Sequence, residues 1–266
     1  MLLKSGGRTL FVSINGINTH YISSGNGENI LLLHGWGTSV EPFKGIISLL
    51  EKKFCVTALD LPGFGQTQEP EKAFGVDDFA DFVLEFIRQM HCKRLILLGH
   101  SLGGRIIIKL ASRKNLPFEI SNIILIDSAG VMPKKTIVQI VRQKAFKLSK
   151  RILTSRLGSK VFPNALEKLK NKMGSEDYKN ASEIMRQTLV RVVNEDLTPF
   201  MPKINSPSTL LIWGENDDAT PLSDGKIMEE LIPEAGLAIV KNAGHYPFLD
   251  QPYVVNSILS SYLNIS

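Results

Sequence analysis

Only two cysteines occur in the 266 residues, Cys55 and Cys92, and neither stands in a spacing that would hold a metal. Both fall in apolar strand or helix contexts, so buried reduced thiols are expected, not a disulfide framework. Long hydrophobic runs are missing too. The opening Met1-Leu2-Leu3-Lys4-Ser5-Gly6-Gly7 lacks the apolar stretch of a secretion signal, and no segment has the length to span a bilayer. No repeat and no low-complexity tract appears, which excludes solenoid and linker-like chains. These absences leave a soluble cytoplasmic protein, without metal or cofactor and without stable membrane insertion, as the expectation.

Charge is also scarce on one side of the ledger, in one region. Residues 132–203 carry 16 Lys/Arg against 6 Asp/Glu, while the remainder carries 15 basic and 20 acidic residues. The net charge of +5 therefore belongs to one segment and not to the whole chain. A basic segment of this kind suits an acidic partner, an anionic membrane surface or nucleic acid; its place between two sheet strands favours a lid over an apolar cleft, and nucleic acid is not expected.

What the chain does contain is alternation of strands and helices. Residues 9–14 and 17–22 read as two strands about the hairpin turn Asn15-Gly16. Strands follow at 29–33, 54–59, 94–98, 123–126, 209–213 and 237–240, with helices at 40–52, 77–90, 102–113, 224–231 and 252–263. Several of these strands are unbroken apolar runs, such as Leu95-Ile96-Leu97-Leu98. That pattern predicts an α/β fold: a mostly parallel, doubly wound sheet of about eight strands, covered by helices on both faces. The alternation breaks between residues 129 and 206. There Ile137, Ile140, Val141, Leu148 and Ile152 mark one apolar helical face, with Arg142, Lys144, Lys147, Lys150 and Arg151 largely elsewhere. The expected division is a core of residues 1–128 and 207–266 with a helical lid at 129–206.

Residues 99–104 read Gly-His-Ser-Leu-Gly-Gly, between a buried strand and a helix. A turn at that junction lifts the Ser101 hydroxyl out of the backbone, and glycines at 99 and 103 give the room it needs. Serine is a weak nucleophile alone, so a base, an orienting acid and oxyanion donors are required. His245, in the loop Asn242-Ala243-Gly244-His245, supplies an imidazole after one strand; Trp213-Gly214-Glu215-Asn216-Asp217-Asp218 supplies acids after another. Loops at the carboxyl ends of parallel strands converge on one edge, so such residues can meet. Asp217, Asp218 and Asp127 all remain candidates for the acid on this reading. Asp60 is expected to brace its own loop, His34 to be structural, His100 to point away from the hydroxyl, and His20 and His91 to be packing or surface residues.

With His34-Gly35-Trp36-Gly37 and Asp60-Leu61-Pro62-Gly63-Phe64-Gly65 added to these motifs, nearly the whole chain resembles the α/β-hydrolase fold superfamily. The family loop usually puts its acid four residues after the Trp, which selects Asp217. The resemblance implies Ser101 as nucleophile, His245 as general base and acid, Asp217 as the group orienting the imidazole, and the backbone N–H groups of Trp36 and Leu102 as oxyanion hole. Serine at the elbow argues against the dehalogenases and epoxide hydrolases of this fold, which use aspartate there. Hydrolysis of a small-molecule carboxylic ester is the expectation; thioester, lactone, amide and carbon–carbon bond hydrolysis use the same constellation, and a non-enzymatic ligand receptor is the remaining alternative. The His34 and Asp60 motifs also resemble the pimeloyl-acyl-carrier methyl esterases, where Trp commonly stands in place of His100. That likeness implies an acidic carrier protein as a possible partner for the basic lid, the alternative being a lid that is simply helical and soluble.

Overall fold

The sheet is built from strands whose successive side chains are buried in opposite directions. Ile30 and Leu32 join one apolar cluster, Leu31 and Leu33 the other, and the same parity separates Ile96 and Leu98 from Leu95 and Leu97. Both faces are thus covered, which is why these strands read as continuous apolar runs. The structure, a computed structural model, describes residues 8–132 and 181–265. The apolar face 137–152 anticipated for the lid lies outside them.

Eight strands form a single sheet: β1 (Arg8–Ile14), β2 (Ile17–Ser24), β3 (Glu28–Leu33), β4 (Phe54–Leu59), β5 (Arg94–His100), β6 (Glu119–Ile126), β7 (Thr209–Gly214) and β8 (Ala235–Val240). Their order is β1-β2-β4-β3-β5-β6-β7-β8. The β1–β2 and β2–β4 pairs are antiparallel and every other pair is parallel. This is the mostly parallel sheet of eight strands that the sequence pattern predicts. Among the described residues the helices are α1 (Lys44–Leu50), α2 (Val76–Gln89), α3 (Leu102–Ala111), α4 (Glu183–Val193), α5 (Leu222–Leu231), α6 (Pro247–Asp250) and α7 (Pro252–Leu263). Helices α2 and α3 cover one face through Phe79, Val83, Phe86, Ile106 and Ile107. Helices α1 and α7 cover the other through Ile46, Leu50, Val255 and Leu259. None of the described helices is long and apolar enough to cross a membrane.

The helix expected over 40–52 is shorter. A 3-10 turn at Glu41–Phe43 precedes α1, which stops at Leu50. Pro42 has no N–H to donate and fits the first turn, not an interior. Cys55 and Cys92 form no disulfide and are half-buried, more open than anticipated.

Strand order reverses between β3 and β5. Sequence moves outward from β3 to β4 on one side and from β5 to β8 on the other, opening a crevice at their carboxyl ends. Helix α3 starts inside it. Its Gly103 N–H donates to His34 O at 3.1 Å, and a Cβ on Gly103 would lie 2.0 Å from Leu33 O. A Cβ on Gly99 would strike the Gly103 backbone at 2.6 Å.

The second half of the broken alternation is tied to this same helix. Ser182 caps α4 by accepting the Met185 N–H, and Met185 and Val192 enter the core on the α3 face. Glu195 accepts from Lys109 Nζ at 2.7 Å, and its carbonyl from Arg105 Nη1 at 2.8 Å. Leu197 N–H donates to Gly130 O at 2.9 Å, so the segment that leaves the sheet after β6 returns beside its own starting point.

Gly103→Ala should lower the unfolding free energy by at least about 2 kcal/mol, because a backbone oxygen cannot yield as a side chain can. Urea denaturation reads this as a lower midpoint at unchanged slope.

Candidate active site

Ser101 occupies the junction of β5 and α3 with φ 50° and ψ −106°. A non-glycine residue in such a conformation stores strain and persists because its neighbours hold it. Here the Ser101 N–H donates to Ile126 O at 3.2 Å, and its carbonyl accepts from Arg105 and Ala129 N–H. The side chain is left partly exposed at the crevice. Leu102, the first residue of α3, is buried behind it. Neither the Leu102 N–H nor the Trp36 N–H has a hydrogen-bond acceptor among the described residues.

His34 fixes the direction of the Trp36 N–H. Its Nε2 accepts the Leu61 N–H at 2.9 Å, so the ring proton sits on Nδ1, which donates to Gly35 O at 2.7 Å. The Gly35 carbonyl and the Trp36 N–H share one trans peptide plane and point in opposite directions. Clamping the carbonyl therefore aims the N–H. Burial pushes the His34 ring below its ordinary pKa, keeping it in the neutral form this pattern needs. Asp60 braces the same region: Oδ1 accepts Val40 N–H at 2.8 Å, while Oδ2 accepts Gln66 N–H at 2.9 Å and pairs with buried His20 at 2.7 Å. His91 is exposed on the far end of the fold, after α2.

The acid and the imidazole meet. Asp217 Oδ2 lies 2.8 Å from His245 Nδ1. Asp217 also accepts from Ala219 N–H at 2.8 Å, Thr220 N–H at 3.0 Å and the Thr220 hydroxyl at 2.6 Å. Burial alone would raise its pKa, but the hydrogen bonds from His245 and Thr220 outweigh it and hold the carboxyl at about 2. Asp218 faces solvent and makes no contact with His245. With Nδ1 donating to a carboxylate, His245 Nε2 is the basic nitrogen.

Ser101 and His245 are not hydrogen-bonded to each other in this conformation. Their link runs through His100, whose Nε2–H donates to His245 O at 2.7 Å and whose ring lies 4.8 Å from that of His245, tilted by 51°. Contacts of this kind commonly tighten only when substrate arrives. Burial, with His245 nearby, drives the His100 pKa down to about 3, so it remains a neutral donor. Asp127, at the end of β6, is buried below Asp217 and does not reach His245. Thr220 and His100 are contributors that the motif reading overlooked. The Asp-x-x-Thr spacing at 217–220 is a turn signature that would have revealed Thr220; nothing local distinguishes the carbonyl that His100 holds.

Two outcomes follow from this geometry. His34→Ala should cost about 1–3 kcal/mol of stability, since Leu61 N–H and Gly35 C=O lose their buried partner; chemical denaturation measures it. Because the Asp217 pKa is depressed, its contribution is full above about pH 4 and fades as pH falls toward 2. The stability difference between wild type and Asp217→Asn should therefore narrow between pH 4 and 2.

The model of the family described as "alpha/beta hydrolase fold" matches residues 28–252. An uncharacterized hydrolase of Bacillus subtilis, YugF, is 27% identical over 94% of this chain and 96% of its own. A pimeloyl-[acyl-carrier protein] methyl ester esterase of Nitrosomonas europaea is 25% identical over 88% of this chain and 94% of its own. Among solved structures, an esterase from Exiguobacterium antarcticum superposes with a TM-score of 0.75 at 23% identity, covering 97% of this chain and all of that one. The parallel sheet, the elbow at the reversal of strand order and a family match across most of the sequence agree: this chain is a hydrolase of the α/β-hydrolase fold family.

Proposed function

We propose that the chain hydrolyses carboxylic esters through an acyl-enzyme on Ser101. The observation that carries this reading is the Asp217–His245 hydrogen bond, in a loop whose carbonyl is held by the residue preceding Ser101. His245 Nε2 takes the Ser101 proton as Oγ attacks the ester carbonyl, and then gives it to the departing alkoxide. Water repeats the cycle to release the acid. Asp217 stays ionised, holds the Nδ1–H tautomer and stabilises the imidazolium. The N–H groups of Trp36 and Leu102 receive the oxyanion, each contributing on the order of 3 kcal/mol to transition-state stabilisation.

On this reading residues 1–128 and 207–266 form the catalytic core and residues 129–206 are an insert beside the acyl site. The hydrogen bonds Ala129 N–H to Ser101 O and Leu197 N–H to Gly130 O support that placement of its ends. The basic composition of residues 129–206 favours acidic substrates or an acidic carrier of the acyl group, through faster encounter.

A panel of p-nitrophenyl esters of rising acyl length tests the reaction type, beside amide, lactone, diketone and carrier-bound methyl ester substrates. Ser101→Ala should reduce turnover by about 10⁶-fold, Asp217→Asn by about 10³–10⁴-fold, and Asp218→Asn hardly at all. Organophosphate labelling should fall on Ser101. Activity on the diketone with none on any ester would replace ester hydrolysis by carbon–carbon bond cleavage.

A further inference from the structure

Asp127 ends β6 directly behind the acid loop, and the reaction just described gives it nothing to do. Its side chain is 0% exposed. Oδ1 accepts the Gly214 N–H at 2.8 Å, but Oδ2 is buried without a donor. An ionised carboxylate left that way would be a half-satisfied charge in a site closed to water. The residue is not placed there by slack packing. Its φ is 41°, in the left-handed region that few residues besides Gly, Asn and Asp enter. It is held by its N–H, which donates to Ile212 O at 3.0 Å.

The groups that face Asp127 are acidic. Asp217, from the loop after β7, lies within hydrogen-bonding reach, and Asp250 of α6 adds a second negative charge nearby. Among the described residues the cationisable groups nearby are His245, engaged by Asp217, and His100, kept neutral by burial. Two adjoining carboxyl groups without a cation between them cannot both ionise, and one keeps a proton. Asp217 has four donors and Asp127 has one, so the proton belongs on Asp127.

We infer that Asp127 is a carboxylic acid in the folded protein and donates its Oδ2 proton to the Asp217 carboxylate. The acid side of the triad is then two carboxyls sharing one proton, with Asp127 as the positioning residue. A donor behind Asp217 fixes its carboxylate plane toward His245. It also lowers the basicity of Asp217, so that the imidazole proton stays on Nδ1 when His245 becomes charged. The orphaned Oδ2 gains a partner by the same bond. Burial, reinforced by Asp217 and Asp250 and opposed by the Gly214 N–H, raises the Asp127 pKa to about 9.

This role rests on the reading of Ser101, His245 and Asp217 as a triad; the protonation does not. Asp127→Asn places an amide where the acid stands, with an oxygen for Gly214 and an N–H for Asp217. It should keep kcat within about threefold of wild type with KM unchanged, whereas Asp127→Ala should lower kcat at least tenfold. Infrared spectra at neutral pH should show a protonated-carboxyl stretch in wild type that is missing from Asp127→Asn. A group whose pKa is raised by folding destabilises the fold as pH rises from its unfolded value toward its folded one. Between pH 5 and 8 the folding constant of Asp127→Asn should therefore gain about tenfold per pH unit over that of wild type. A thousandfold fall in kcat for folded Asp127→Asn would overturn the inference and make Asp127 an ionised acid. An absent infrared difference, or a flat stability difference, would overturn it as well. Inactivity of wild type on every ester would sink the proposed reaction, while the infrared band and the pH slope would still support the protonated carboxyl.

Discussion

Helix α3 begins so close to the end of β3 that no side chain fits between them, and the site depends on that approach. Gly103 sits with Leu33 O where its Cβ would be, and its N–H is bonded to His34 O. The contact brings the HGWG loop and the serine turn into one rigid body. It also leaves the Leu102 N–H, the first of the helix, facing the crevice where the helix dipole favours negative charge. The strain in Ser101 is sustained because both flanks, β5 and α3, are themselves buried and cannot relax. A looser helix would let the turn open and scatter the donors. Tight backbone packing, more than any side-chain contact, is therefore what gives the hydroxyl its position.

Electrostatics divides the site in two. Around the serine turn, buried histidines are kept neutral: His34 and His100 act as fixed donors whose partners are backbone carbonyls. On the acid side, carboxyl groups cluster, and hydrogen bonds decide which is ionised. Burial disfavours charge on both sides. It is overcome only at Asp217, where four donors converge. The charged group is thus confined to the place where an imidazolium would form beside it, which is where a charge in a low-dielectric pocket is useful.

The sheet was legible in the sequence because strands buried on both faces leave unbroken apolar runs, and 29–33, 94–98 and 209–213 coincide closely with β3, β5 and β7. The junction at Ser101 was legible because close backbone approach demands glycine at set offsets. Choosing among Asp217, Asp218 and Asp127 needed more than the residues themselves. Which of two adjacent aspartates turns inward is decided by the turn closed at Thr220, and three-dimensional crowding keeps Asp127 apart from His245. The buried charges Arg105 and Lys109 look in sequence like ordinary solvent-facing positions of a helix. Both reach Glu195, about ninety residues away, and Lys109 also pairs with Asp77; no local pattern encodes the longer distance. Pro42 did carry a local signal against a long first helix, one that the apolar spacing around it obscured.

The hydrogen bond between Leu197 and Gly130 has a consequence for how this chain can change. The stretch between them leaves and rejoins the sheet at a single point, so its ends stay together whatever its length. Closing a longer loop costs only about 0.6 kcal/mol for each doubling. Residues can thus be added to or taken from the interior of that stretch without altering the register of β6 against β7 or the turn at Ser101. The turn at Ser101 and the interior of that stretch are, in effect, free to vary independently, the first held by backbone crowding and the second anchored at its ends.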